Sequence, residues 1–177
     1  PVVLLSGPSG SGKTTTAMKI AEELQRRGVN THAVAMDNYF KSLNRKTAPR
    51  TPEGDIDYES PQCLDMELLD QHFAALSRGE EIIIPKFEFA RQMRNDARGT
   101  PLKLGKNEIA IFEGIHALNP ELTGLVKGDD VYRIYAGLRE EYCIDGRRVI
   151  NTQDIRLCRR TLRDAAARGR SPAKTLA

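Results

Sequence analysis

The 177-residue chain has no tryptophan, and only 6% of it is aromatic. Its three cysteines, Cys63, Cys143 and Cys158, are far apart, odd in number and without C-x-x-C spacing. That pattern argues against a disulfide framework and a cysteine-built zinc site, and it predicts a reducing, cytoplasmic setting. The three histidines are equally scattered and leave no spacing for a transition-metal centre. No apolar run approaches the roughly 20 residues that a membrane helix needs, and no signal-peptide pattern opens the chain, so no membrane partner is expected. There is no internal repeat and no low-complexity tract. The chain starts at Pro1 rather than Met and runs directly into an apolar segment, which reads as a piece cut from a longer polypeptide.

What is present is ordinary for a globular domain: 40% hydrophobic and 29% charged residues. Residues 1–177 fit a single domain, long enough to bury about 70% of the surface of its unfolded chain. The net charge of +3 is small but uneven. Between Arg156 and Arg170 stand six arginines (Arg156, Arg159, Arg160, Arg163, Arg168, Arg170) and one acid, Asp164. Such a run suits a solvated helix face, a nucleic-acid surface or a lid over phosphate.

Hydrophobic spacing alternates strand and helix. Strands are predicted at Val2–Leu5, Asn30–Met36, Glu108–Phe112 and Asp130–Leu138. Helices are predicted at Thr14–Arg27, stopped by Gly28, at Cys63–Arg78, stopped by Gly79, and at Thr152–Arg168. Tyr39–Ser60, with two prolines and many charges, reads as a long loop. Ile82–Ile84 and the stretches around Phe87 and Leu102 read as short strands of an excursion. The alternation predicts an α/β fold, a parallel sheet with helices on both faces, a small β excursion and an arginine-rich lid.

One segment carries specific chemistry. Gly7-Pro8-Ser9-Gly10-Ser11-Gly12-Lys13-Thr14 matches G-x-x-x-x-G-K-[ST] in full, between an apolar strand and an amphipathic helix. Glycines there let backbone N–H groups face phosphate oxygens, and the following helix adds its positive end. Gly7 to Thr14, with the adjoining Thr15, are therefore the expected ATP-binding residues. Lys13 reaches the β- and γ-phosphates, and the Thr14 hydroxyl is a Mg²⁺ ligand. Ile109–Phe112 is an apolar strand ending in Glu113-Gly114. Ligands of open parallel sheets gather at strand carboxyl ends, which makes Glu113 the second metal ligand. Asp37, at the end of the second strand, is the candidate general base for an acceptor hydroxyl. Arginines closing over a transferring phosphoryl group would stabilise its charge. Arg163 and Arg168, beside the hinge-like Gly169, are placed in that role. An N-K-x-D guanine reader is missing. Asp96-Ala97-Arg98-Gly99 fits D-x-x-G only formally, because it does not follow the strand that a GTPase-like switch requires. The aromatic interleaving of single-strand nucleic-acid binders is also missing from the arginine run, so no nucleic-acid partner is expected.

These segments, taken in order, resemble the uridine kinase family, in particular its uridine-kinase-like bacterial branch, over essentially the whole chain. The resemblance rests on Gly7 to Thr14, Asp37-Asn38-Tyr39-Phe40, Tyr58-Glu59-Ser60-Pro61 with Leu64-Asp65, Ile84 to Phe89, Glu113-Gly114-Ile115, and Asp154 to Asp164 with Arg168-Gly169-Arg170. It implies ATP and Mg²⁺, and transfer to the 5′-hydroxyl of a small-molecule nucleoside, uridine or cytidine in type. It is compatible with a homo-oligomer. It makes Asp37 the base, sets Glu113 beside the metal and puts Arg163 and Arg168 on the phosphates. It assigns Tyr39, Tyr58, Glu59, Arg160 and Arg170 to the substrate, with Asp57 as the alternative ribose contact because an Asp is usual where Glu59 stands. Two base-facing positions depart from the pattern: Phe87 stands where a Tyr is usual and Gln92 where a His is usual. The family also continues past the Arg-Gly-Arg motif into a further helix and strand. The alternatives are another small alcohol as acceptor, as in the similar phosphoribulokinase and pantothenate kinase folds, a nucleotide switch, and RNA binding.

Overall fold

In Val2–Ser6 (β1) every residue is buried, which only a central strand covered on both faces allows. The computed structural model describes residues 1–44, 46–89, 91–123, 131–169 and 171–176, with backbone alone at 167, 168 and 174. β1 is followed by α1 (Lys13–Arg26), β2 (Asn30–Ala35) and a 3-10 turn over Met36–Tyr39. A second 3-10 turn over Pro61–Cys63 precedes α2 (Met66–Ser77), β3 (Ile82–Glu88), β4 (Met93–Leu102) and β5 (Glu108–Glu113). Then come α3 (Pro120–Thr123), β6 (Val131–Tyr135), β7 (Tyr142–Ile144), β8 (Arg147–Ile150), α4 (Thr152–Arg168) and α5 (Pro172–Leu176).

Four strands form one parallel sheet in the order β2-β5-β1-β6. Side chains alternate across β1, so Val2 and Leu4 face one layer and Val3 and Leu5 the other. The first layer holds Val34, Ala110 and Phe112 of the sheet against Leu69, Phe73 and Leu76 of α2 and the ring of Tyr39. Phe112 meets Phe73 edge-on with centroids 4.8 Å apart. The second layer sets Val3, Leu5 and Ile111 against Ala17 and Ile20 of α1. Helices on both faces of a parallel sheet agree with the fold read from the sequence.

Several boundaries differ. α2 starts at Met66, not Cys63. Ser60 accepts from Gln62 N at 3.3 Å and starts a turn with Pro61, and Asp65 then starts the helix by accepting from Leu68 N at 3.1 Å. The excursion is one antiparallel hairpin, β3 with β4. Its register breaks between Ile84 and Lys86, where Pro85 has no N–H to offer the ladder. Met36 belongs to the 3-10 turn that ends β2, and β6 is shorter than expected, with Asp130 outside the described residues. The β7–β8 hairpin, α3 and α5 were not foreseen.

Phe112 is the ring on which both Tyr39 and Phe73 rest. Phe112→Ala should therefore lose about 3–5 kcal/mol of stability in urea unfolding, whereas Tyr132→Ala, on an exposed β6 side chain, should stay within about 0.5 kcal/mol. Equal effects of the two would contradict this assignment of the core.

Candidate phosphoryl-transfer site

Parallel pairing aligns the carboxyl ends of three strands. Leu5 lies opposite Glu113 in one register, and Ala35 lies opposite Glu113 in the other. The chain leaving β1 is the Gly7–Thr14 loop, the chain leaving β2 carries Asp37, and β5 ends in Glu113 itself. Close approach at this edge requires glycine at two points. A Cβ at Gly7 would collide with the Ala136 carbonyl oxygen beyond β6, and a Cβ at Gly114 would stand 2.8 Å from Cβ of Met36. The second contact holds Asp37 beside the end of β5. Within the loop, Gly10 and Gly12 take φ of +82° and +94°, the left-handed region that turns successive N–H groups inward.

The polar groups converge on Lys13. Its Nζ donates to the Pro8 carbonyl at 3.4 Å. Burial pushes the ammonium below its ordinary pKa. The carboxylates of Glu113 and Asp37 oppose that shift, Arg163 adds to it, and Glu59 opposes it more weakly. Thr14 Oγ1 donates to Glu113 Oε1 at 3.1 Å, across 99 positions of sequence. These two groups offer a hydroxyl and a carboxylate oxygen side by side. Among the described residues no group of three or more His, Cys, Asp or Glu converges on a metal position. Two hard oxygen ligands fit Mg²⁺, which keeps several waters and takes its other ligands from phosphates.

The arginines of α4 turn inward to the loop. Arg156 Nη1 donates to the Ser9 carbonyl at 3.2 Å, and Arg163 Nη2 donates to Ser9 Oγ at 3.0 Å. A Cβ on Gly10 would stand 3.2 Å from the Arg156 carbonyl oxygen, so helix and loop are in direct contact. Asp164, fully buried, accepts from Arg163 at 2.7 Å and lies 3.8 Å from Arg160 Nε. Arg160 Nη2 in turn donates to Glu59 Oε1 at 3.2 Å. Arg168 lies in the last turn of α4 but its side chain is outside the described atoms, and Arg170 is outside the described residues.

The expected substrate residues divide. Tyr58 and Glu59 are exposed, and Asp57 Oδ1 accepts from Glu59 N at 3.0 Å, shaping the loop that carries them. Tyr39 is a correction: it is 0% exposed, with its hydroxyl 2.9 Å from His72 Nδ1, so it packs behind the cleft rather than facing a substrate. Burial raises its phenol pKa accordingly. Phe87 is also buried, its ring 5.6 Å from that of Phe40 and 5.1 Å from that of Phe89. Gln92 is exposed at φ +51°, and its amide donates to the Phe89 carbonyl at 2.8 Å. Asn38 and Asp164 were not assigned roles in the sequence. Asn38 Oδ1 accepts from Phe87 N at 3.3 Å and ties the hairpin to the Asp37 turn. Asp164 had a signal, as the one acid among six arginines.

The sequence model of the phosphoribulokinase/uridine kinase family matches residues 2–135, from β1 through β6. The chain belongs to that family. It is 28% identical over 166 residues to the uridine kinase of Halobacterium salinarum, covering 94% of this chain and 63% of that protein. Against the uridine kinase of Schizosaccharomyces pombe it is 35% identical over 117 residues, 66% of this chain and 25% of the yeast protein. It therefore spans less than two thirds of either relative. Among solved structures, a putative fructose transport system kinase from Silicibacter superposes with a TM-score of 0.62 at 23% identity, over 99% of this chain and 76% of that one. A possible uridine kinase from Bacillus stearothermophilus gives 0.58 at 20% identity, over 75% and 68%. Both carry the family fold.

Gly114→Ala should cost about 1–3 kcal/mol, because the added methyl must displace the Met36 backbone turn. Thermal unfolding of the variant checks this, and a loss below about 0.5 kcal/mol would mean that Met36 moves aside freely.

Proposed function

We propose that this chain transfers the γ-phosphoryl group of ATP to the 5′-hydroxyl of a nucleoside. The observation that carries the reading is the meeting at one sheet edge of the glycine-rich loop with Glu113, whose Oε1 accepts from Thr14 at 3.1 Å, and with Arg163, which donates to Ser9 at 3.0 Å, where the chain leaving β2 brings Asp37. In this reading the backbone from Gly7 to Gly12 and the side chains of Lys13, Thr14 and Thr15 hold the triphosphate. Thr14 and Glu113 hold Mg²⁺, which supplies charge neutralisation on the phosphate oxygens. Asp37 accepts the proton that the acceptor hydroxyl loses as its oxygen bonds to the γ-phosphorus and the bond from that phosphorus to the bridging oxygen breaks, releasing ADP. Lys13, Arg163 and Arg168 compensate charge on the transferring oxygens. Tyr58, Glu59 or Asp57, with Arg160 and Arg170, orient the acceptor. Three free cysteines, two of them exposed, suit a cytoplasmic site of action. Among the described residues no helix is long and apolar enough to cross a membrane.

A second reading keeps the chemistry and changes the acceptor to another small alcohol. The burial of Phe87 favours it, because the side chain at that position offers a nucleobase no hydrogen bond. A site that hydrogen-bonds its substrate rejects analogues strongly, whereas an apolar wall discriminates by only about 1–3 kcal/mol. Uridine and cytidine are therefore expected to be weak acceptors, with purine nucleosides tolerated. The test compares kcat/KM for uridine, cytidine, adenosine, inosine and non-nucleoside alcohols in wild type and in the Phe87→Tyr, Gln92→His double variant. A preference above about 10³ for one pyrimidine over every purine would contradict the loose pocket. No gain for pyrimidines in the double variant would show that these positions do not address the base.

Two single variants test the chemistry. Lys13→Ala should lose nearly all transfer while remaining folded. Retention of more than about a tenth of wild-type kcat/KM would remove the loop from the mechanism. Asp37→Asn should lower kcat by about 10²-fold or more with a smaller change in acceptor KM. An unchanged kcat where chemistry limits turnover would rule Asp37 out as the base.

A further inference from the structure

His116 lies three residues past Glu113, in the turn that leaves β5. That turn is fixed to the sheet: Ser6 Oγ donates to the Ile115 carbonyl at 3.0 Å, and Ala117 N and Asn119 N donate to the carbonyls of Gly114 and His116. From this anchored position His116 Nε2 stands 2.7 Å from the carbonyl oxygen of Glu59, 57 positions earlier. A carbonyl oxygen only accepts, so Nε2 carries the proton and donates. The bond fixes the main chain of the 57–60 loop at the residue whose carboxylate meets Arg160. It also completes a ring of contacts around the cleft. Ser9 of the glycine-rich loop is held by Arg163, Arg163 by Asp164, and Asp164 lies beside Arg160. Arg160 meets Glu59, Glu59 meets His116, and Glu113 three residues before it returns to Thr14 of the same loop.

We propose that His116 is a positioning residue for the acceptor: its Nε2–H holds the backbone of Glu59 to the end of β5, so that Tyr58 and Glu59 stand at a set distance from the Glu113–Thr14 pair. The proposal rests on the phosphoryl-transfer reading above for its kinetic consequence, and on the hydrogen bond alone for its structural one. Its physical basis is that the main chain of the 57–60 loop otherwise bonds within its own stretch of chain, from Pro49 to Cys63, while Arg160 reaches the side chain of Glu59. Asp57 Oδ1 accepts from Glu59 N, and the Asp57 carbonyl accepts from Ser60 N and Cys63 Sγ. Such bonds set the form of the turn, and the bonds of Lys41 N to the Cys63 carbonyl and of Asp65 N to the Tyr39 carbonyl fix its far end beside the Met36–Tyr39 turn. The His116 bond adds a direct tie from the Glu59 main chain to the end of β5. A glutamine side chain can present an N–H near the same point as Nε2, whereas alanine cannot.

The test uses the whole chain as His116→Ala and His116→Gln, with two readouts. Hydrogen–deuterium exchange should rise about 10-fold or more across residues 57–63 in His116→Ala, with residues 2–16 unchanged, and return toward wild type in His116→Gln. In steady-state kinetics with the best acceptor of the panel, His116→Ala should raise acceptor KM about 10-fold, the size of one lost hydrogen bond. ATP KM and kcat should change less than about 3-fold, and His116→Gln should recover most of the acceptor KM. Unchanged acceptor KM in His116→Ala would overturn the proposal. So would a glutamine variant as impaired as alanine, or losses in kcat, both KM values and melting temperature together. Should wild type turn over no acceptor at all, the functional reading fails, and the exchange experiment alone decides the anchoring.

Discussion

Register in the parallel sheet is the constraint from which the cleft follows. Because Leu5 and Ala35 both lie opposite Glu113, the chain leaves β1, β2 and β5 at one level. A slip of one residue in either pairing would turn Glu113 and its neighbours to the opposite face of the sheet. The register is specified by burial: Leu4 and Phe112 must face α2 while Leu5 and Ile111 face α1. The 3.1 Å contact between Thr14 and Glu113 is a consequence of that packing. So is the field of Asp37 and Glu113 on Lys13, which holds a partly buried ammonium against the cost of its desolvation.

The second constraint is charge balance around α4. A helix with a run of arginines packed on a positively polarised loop would repel itself unless acceptors were supplied. Asp164 supplies one at full burial, Glu59 supplies a second, and the Ser9 hydroxyl and carbonyl supply two more. Of the guanidinium groups so occupied, that of Arg163 addresses phosphate oxygens in the proposed reaction, and that of Arg160 the acceptor. The capping box of Asn151 and Asp154 and the left-handed Gly169 bound the helix at its two ends.

The glycine-rich loop, its Lys13 and Thr14, the acid at the end of β5 and the central strands were legible because each is written in contiguous residues with a strong period or motif. Boundaries of α2 were not. Two capping side chains, Ser60 and Asp65, compete for the start, and hydrophobic spacing does not choose between them. The β7–β8 hairpin carried a readable sign in Asp145-Gly146, both at positive φ, but its strands are exposed and lack a buried face to betray them. Tyr39 was misplaced for the opposite reason. It sits in a motif with Asp37, yet the 3-10 turn rotates its ring into the core while Asp37 remains beside Lys13. His116 and Asp164 act through contacts 57 and 155 positions away, with Glu59 and, through Arg163, with Ser9. No local pattern encodes such contacts.

The central claim is that the groups gathered at the carboxyl ends of β1, β2 and β5 move a phosphoryl group to an alcohol rather than to water. Phosphorus-31 NMR of a reaction containing the protein, ATP, Mg²⁺ and a nucleoside mixture tests this most directly. The account predicts a phosphomonoester signal that splits through coupling to the 5′-methylene protons and grows in step with ADP. Growth of ADP matched only by inorganic phosphate, with no phosphomonoester from any nucleoside or other alcohol supplied, would contradict it.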